Sequence, residues 1–284
     1  MFNLANLFTA SNMLCGFVSI ILTLAGRIDI APLFILGGAV LDFFDGFIAR
    51  KLKIAGPMGK QLDSLADMIT FGVAPGVLML VMIILGVDNA GLMIAENGQR
   101  FYIGQISEYV MIQEWAWIRA IFYGEGNYFD ASIKFLPFVS MAIPFFSMFR
   151  LAKFNIDENQ SDKFIGVPTP LNTIFFLFFP LYFYNNLQNW GHQPKVIHAL
   201  FDCYSLSAIS VLFSLLMVSN IPMIALKFKN WTWKDNYFRF SLIGISLIII
   251  PLLTFWAIPI IVFLYLFLSL IENYQTKKKN EIQS

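Results

Sequence analysis

Four aspartates within 26 residues, Asp42, Asp45, Asp63 and Asp67, are the side chains best placed to do chemistry, and they lie in apolar surroundings. In "LDFFDGFIARKLKIAGPMGKQLDSLAD" (Leu41 to Asp67), Asp42 and Asp45 are three apart, and Gly46, Ala49 and Arg50 follow at four, seven and eight from Asp42. On a helix these positions share one face or its margin. Asp63 and Asp67 are four apart at the start of a second helix, after a polar connector. A tight turn through "KLKIAGPMGKQ" brings the two pairs toward each other. Carboxylates converging in low dielectric repel one another, so some must take up protons unless cations sit between them. Oxygen donors with no His or Cys nearby suit hard cations such as Mg2+, Mn2+ or Ca2+. Gly46 and Ala49 leave helix backbone bare beside the acids, and Arg50 is a planar cation suited to phosphate. Metals, an open face and this arginine together predict a diphosphate-bearing substrate, with two ions stabilising the attacking and leaving oxygens of a displacement at phosphorus.

The elements that must position these residues are membrane helices. Of 284 residues, 58% are hydrophobic and only 13% charged, against roughly 25% charged in soluble domains. Runs such as "MITFGVAPGVLMLVMIILGV" are long enough to cross hydrocarbon, which takes about 20 apolar residues. The expected fold is an all-α polytopic bundle with about eight spans, near 5–26, 30–50, 66–87, 134–153, 169–187, 199–219, 238–253 and 256–271, the last two divided at Pro251 and Pro259. Eight spans put both termini on one side, and that side then carries 14 of the 19 Lys and Arg residues. The positive-inside rule makes it cytoplasmic, together with the aspartate stretch. Residues 88–133 fall on the opposite side, and "YVMIQEWAWIRAIFY" within them reads as an amphipathic helix at the interface or a loop packed on the bundle. Cys15 and Cys203 sit inside predicted spans, and there is no disulfide framework or zinc spacing. The N-terminus reads as a retained first helix rather than a signal peptide. The whole chain is expected to form one membrane domain, with a core over 1–187 and additional helices over 199–271.

The pattern Asp42-x2-Asp45-Gly46-x2-Ala49-Arg50-x8-Gly59-x3-Asp63-x3-Asp67 resembles the signature of the CDP-alcohol phosphotransferases at every specified position. These membrane enzymes move a phosphatidyl or related group from a CDP-linked donor to an alcohol and release CMP. The resemblance implies that Asp42, Asp45, Asp63 and Asp67 hold two divalent ions, Mg2+ or Mn2+, and that Asp67 is the general base. It assigns the CDP-diacylglycerol donor to Asn6, Thr9, Gly46, Ala49, Arg50 and Gly59, and it implies a homodimer in a bacterial inner membrane with the active site facing the cytoplasm.

The acceptor must be read elsewhere. "SLADMITFGVAPG", "RLAKFNI" (Arg150 to Ile156), "FIGVPTP" (Phe164 to Pro170) and "NLFTASNMLCG" resemble segments of the serine-using subfamily. That points to L-serine as acceptor, with Arg150, Lys153 and Asn155 around it. Arg150 and Lys153 at a cytoplasmic helix end can hold a carboxylate, and they equally suit headgroup anchors. Three positions depart from the subfamily pattern: Ala5, Gly56 and Lys153, the last keeping charge but losing the planar fork. Glycerol 3-phosphate, inositol phosphate and choline remain alternative acceptors. A cation-binding transporter is the alternative from another class, and it leaves Gly46, Ala49 and Arg50 unexplained. Pro168 and Pro170 are expected to break the chain before the fifth helix, Asp202 to begin a helix, and "TIFFLFFPLYFYNN" to face lipid. His192 and His198 fall on the non-cytoplasmic side.

Overall fold

The computed structural model describes residues 3–54, 56–87, 103–124, 133–156, 164–224 and 232–283. Within them the fold is a helical bundle. Its helices are α1 (Leu4–Leu24), α2 (Ala31–Lys51), α3 (Pro57–Asp67), α4 (Ala74–Val87), α5 (Ile103–Ile118), α6 (Ala142–Ile156), α7 (Thr169–Asn186), α8 (Lys195–Leu200), α9 (Cys203–Val218), α10 (Trp233–Leu253) and α11 (Ala257–Gln283). A π-helical stretch, Met68–Val73, joins α3 to α4. One two-residue antiparallel pair, β1 (Phe164–Ile165) with β2 (Pro222–Met223), interrupts the helices.

Five segments are long and apolar enough to cross a membrane: Leu4–Leu24, Ala31–Lys51, Pro57–Val87, Leu136–Ile156 and Asn236–Gln275. Cys203–Val218 is a shorter apolar helix. The chain is thus a polytopic membrane protein, with helices at all the places expected from sequence. The third begins earlier than its apolar run, because Pro57 stands in its first turn where a missing N–H costs nothing. Its polar opening, "PMGKQLDSLAD", is therefore helix rather than connector. Thr254, with φ of 47°, separates α10 from α11 between Pro251 and Pro259.

Burial in α1 shows why a membrane suits this bundle. Its inward residues are small or polar, Ala5, Thr9, Asn12, Gly16, Ser19 and Thr23, spaced by three and four, while Leu7, Leu14, Phe17 and Ile21 are exposed. Small residues let membrane helices approach closely, and large apolar ones meet lipid at no cost. A Cβ on Gly16 would lie 2.7 Å from Thr70 Oγ1, and one on Gly38 would lie 2.7 Å from Thr70 Cγ2. These two glycines admit the π-helical stretch between α1 and α2.

The centre is occupied by α4 and α7, apolar on nearly every side. The phenylalanine-rich run of α7 corrects the expectation that it faces lipid: Phe175, Phe176, Phe178, Phe179 and Phe183 are all buried. They pack on α4, α9 and the start of α11, with Phe175 and Phe213 stacked at 3.7 Å. A helix hydrophobic all round is as compatible with a bundle centre as with lipid, and composition alone does not separate them. The expected amphipathic helix is present as α5, continued by Arg119–Tyr123. The flanking residues 88–102 and 125–132 lie outside the described residues.

Candidate active site

Three helices meet at the aspartates. Asp42 and Asp45 stand on α2 one turn apart, and Asp63 and Asp67 on the last turns of α3. The turn over Leu52–Lys53 reverses the chain, and Lys53 takes a positive φ of 55° there. Asp42, Asp63 and Asp67 then each offer a carboxylate oxygen within 4.8 Å of the others. At that separation each ionised pair repels by roughly 3–4 kcal/mol even at an effective dielectric of about 20. The donors are oxygens only, so the arrangement fits a hard divalent cation rather than zinc or copper. Asp45 is outside this triplet. It is buried, accepts a hydrogen bond from Thr9 Oγ1 at 2.6 Å, and lines the neighbouring cavity with Asp63.

Two positions fix Asp67. Asn12 Nδ2 donates to Asp67 Oδ1 at 3.3 Å from α1. Immediately after Asp67 the backbone changes to the π form, which displaces its ladder; π-bulges recur at functional sites. Thr70 donates to the carbonyl of Asn12 at 2.9 Å, and Thr173 of α7 donates to the carbonyl of Phe71 at 2.7 Å. The segment carrying Asp67 is therefore held from both sides.

Beside the acids is a cavity of about 220 Å3 between α1, α2 and α3, with Asp45, Arg50, Lys60 and Asp63 in its lining. Asn6, Thr9, Gly46, Ala49, Arg50 and Gly59, read from the sequence as donor-binding, all line it. The Arg50 guanidinium folds back over Gly46, where a Cβ would sit 3.3 Å from Nη1. Ala5 and Gly56, two of the departures, line the same cavity, as does Lys60, whose ammonium donates to the Asn155 carbonyl at 2.7 Å. A second, apolar groove of about 620 Å3 lies between α1 and α3, walled by Leu4, Leu7, Met13, Met58, Leu62 and Leu65. Asn6 and Thr9 border both spaces.

The three residues assigned to the acceptor separate. Arg150 is 9% exposed, donates from Nη1 to Thr169 Oγ1 at 2.9 Å, and lies within electrostatic reach of Asp67. Lys153 is exposed at the end of α6. Asn155 donates to Ser64 Oγ at 2.8 Å and ties α6 to α3. Sequence reasoning missed Asn12, Lys60, Thr169 and Asn172. Asn172 follows Thr169 by three on α7, is fully buried, and among the described residues has no hydrogen-bond partner on either side-chain amide atom. An asparagine in an otherwise apolar helix was the signal available for it.

With this geometry in view, comparisons with known proteins are direct. The profile of the CDP-alcohol phosphatidyltransferase family matches residues 2–96. A CDP-diacylglycerol–serine O-phosphatidyltransferase of Helicobacter pylori (strain ATCC 700392 / 26695) is 30% identical over 268 residues, covering 94% of this chain and 89% of that enzyme. The chain belongs to the CDP-alcohol phosphatidyltransferase family. The CDP-diacylglycerol–serine O-phosphatidyltransferase of Bacillus subtilis (strain 168) is 31% identical over 166 residues, which are 57% of this chain and 66% of that enzyme. The archaetidylserine synthase of Methanothermobacter thermautotrophicus is 39% identical over 79 residues, 27% of this chain and 34% of that protein. The family is one of phosphotransferases, and the motif described above lies inside the matched region.

Proposed function

We propose that this protein is a phosphatidylserine synthase, transferring the phosphatidyl group of CDP-diacylglycerol to the hydroxyl of L-serine with release of CMP. The observation that carries the reading is the convergence of Asp42, Asp63 and Asp67 beside a cavity bearing Arg50. The name of the Helicobacter relative, matched over 94% of this chain, supports serine as the acceptor.

Asp42, Asp45, Asp63 and Asp67 would hold two ions, Mg2+ or Mn2+, which when bound neutralise the diphosphate and the departing phosphate. The remaining steps fall to the chain's own groups. Asn6, Thr9, Gly46, Ala49, Arg50 and Gly59 receive the cytidine diphosphate, and the apolar groove beside Asn6 and Thr9 receives an acyl chain. Asn12 donates to one oxygen of Asp67 and so orients the carboxylate that takes the proton of the serine hydroxyl. The serine oxygen bonds to the phosphorus bearing diacylglycerol as the bond from that phosphorus to the bridging oxygen breaks. CMP leaves with the electron pair, its phosphate facing Arg50.

Arg150 supplies the cation for the serine carboxylate, and the buried Asn172 amide, one turn along α7 from the Thr169 that Arg150 bonds, supplies a polar contact for the acceptor. Lys153 is exposed at the helix end and Asn155 is engaged with Ser64, so neither is given the carboxylate. The distribution of Lys and Arg supports an active site on the cytoplasmic side, the bacterial relatives support a bacterial inner membrane, and the family resemblance supports a homodimer, with the core over 1–187 and the helices of 199–271 added to it.

The test is purified protein given CDP-diacylglycerol and one alcohol at a time. CMP release is expected with serine. Equal release with glycerol 3-phosphate, inositol phosphate or choline in place of serine would overturn the assignment, and cation transport without CMP release would overturn the enzyme class.

A further inference from the structure

Arg150 owes its place to a chain of contacts that begins on the last helix. Among the described residues its Nη1 has one hydrogen-bond acceptor, Thr169 Oγ1, and its Nε is buried with none. Thr169 opens α7, so its position depends on the segment that leads into that helix. That segment is anchored by backbone on one side. Phe164 pairs with Met223 and Ile165 with Pro222, Gly166 N–H donates to the Ile221 carbonyl at 2.8 Å, and Val167 N–H donates to the Leu216 carbonyl at 3.1 Å. Gly166 takes φ of 76°, and a Cβ there would come within 2.2 Å of the Met217 carbonyl oxygen, so only glycine lets the strand lie this close.

The outer strand is held in turn by α11. Tyr265 Oη donates to the Ile224 carbonyl at 2.8 Å, and the Ile224 N–H donates to Ser269 Oγ at 3.2 Å. Both backbone groups of one buried residue are thus satisfied by side chains one turn apart on α11. Asn273, a further turn along, donates to the Pro222 carbonyl. Tyr265 is itself buried, packs with Met217, Met223 and Ile224, and lies near Arg150. Edge backbone in a membrane bundle must find partners within the protein. Here the partners come from a helix that the four-aspartate motif does not involve.

We propose that α11 is a positioning element of the acceptor site: Tyr265 and Ser269 fix β2, β2 fixes β1, and β1 sets Thr169 against Arg150. The inference rests on the reading of Arg150 as the acceptor's cation. In this arrangement the C-terminal helices act on the affinity for the acceptor and leave the nucleotide cavity, lined by residues between Ala5 and Asp63, untouched.

The test is steady-state kinetics of full-length Tyr265→Phe, Ser269→Ala and the double variant in detergent–phospholipid micelles, varying serine and CDP-diacylglycerol separately. The double variant is expected to raise the KM for serine about tenfold, the factor one lost positioning hydrogen bond represents, with the KM for CDP-diacylglycerol unchanged. Thr169→Val should reproduce that pattern and Thr169→Ser should restore it toward the parent. If α11 merely adds bulk to the bundle, the double variant lowers the thermal midpoint and the amount of active enzyme while both KM values stay at the parent's; that result overturns the proposal. An equal rise in both KM values overturns it as well. Failure of the serine reading is visible on the parent alone, as CMP release that ignores serine. The same variants are then compared on whichever alcohol drives release, and the same split between acceptor and donor decides.

Discussion

Asp67 is asked to do two things, to hold cation and to accept a proton, and its surroundings are arranged for both. Asn12 engages one of its oxygens and the π-helical turn behind it is tied to α1 and α7. Asp67→Asn keeps the shape and removes the base, so CMP release should fall by roughly 10²–10⁴-fold while the protein still elutes as a folded species in detergent; retained turnover would remove Asp67 from that role. Arg50 lies with both terminal nitrogens over Gly46 and lines the cavity. Arg50→Lys keeps charge but not the fork, and should raise the KM for CDP-diacylglycerol roughly tenfold with little change for serine. Asn172 gives the sharpest contrast between a structural and a functional role. Replacing an unpartnered buried amide by an apolar side chain of similar size relieves a cost of about 1–3 kcal/mol. Asn172→Leu should therefore melt at the parent's temperature or above it, while requiring about tenfold more serine. A variant that is less stable yet has the parent's serine KM would make Asn172 a structural residue.

At the scale of elements, the contact of α1, α2 and the π-helical stretch decides whether the acids converge. Gly38 faces both Thr70 and the Asn12 side chain, where a Cβ would lie 2.7 and 2.8 Å from their nearest atoms. Gly38→Val should cost about 1–3 kcal/mol of stability through overpacking and lower CMP release by turning Asn12 away from Asp67. Unchanged melting and turnover would show that the contact is not needed. On the opposite side of the bundle, α5 carries Glu114, which is 8% exposed, and burial pushes its carboxyl up to about 8. A carboxyl held neutral in the fold but free to ionise near 4.5 when unfolded makes the fold lose stability as pH rises from about 5 to 8. Glu114→Gln should remove that slope, so its thermal midpoint should gain on the parent's across this interval and match it at pH 5. Parallel curves for the two proteins would mean that Glu114 is ionised throughout.

Over the whole molecule, what could be read beforehand follows from the range of the interactions. The aspartate pairs, Gly46, Ala49 and Arg50 are related by helical spacing within two adjacent helices, and spacing survives in sequence. The convergence of Asp42, Asp63 and Asp67 and the shared cavity of Gly46, Ala49 and Arg50 were accordingly legible, while Asp45 stands outside the triplet. The burial of the α7 phenylalanines was not, because a helix apolar all round carries no period that separates core from lipid. The different surroundings of Arg150, Lys153 and Asn155 were also hidden, since they are neighbours along the chain, yet Arg150 bonds Thr169, Lys153 is exposed and Asn155 bonds Ser64. The tie from Tyr265 to Arg150 spans more than a hundred residues and runs through backbone groups that have no sequence signature. The central claim joins a metal-holding acid cluster to an alcohol-specific transfer, and one measurement tests both halves. CMP release from CDP-diacylglycerol is followed in purified protein with and without serine, each with and without a divalent-cation chelator. Release only when serine and divalent cation are both present is the predicted result. Release that proceeds without serine, or that survives removal of the cation, would contradict it.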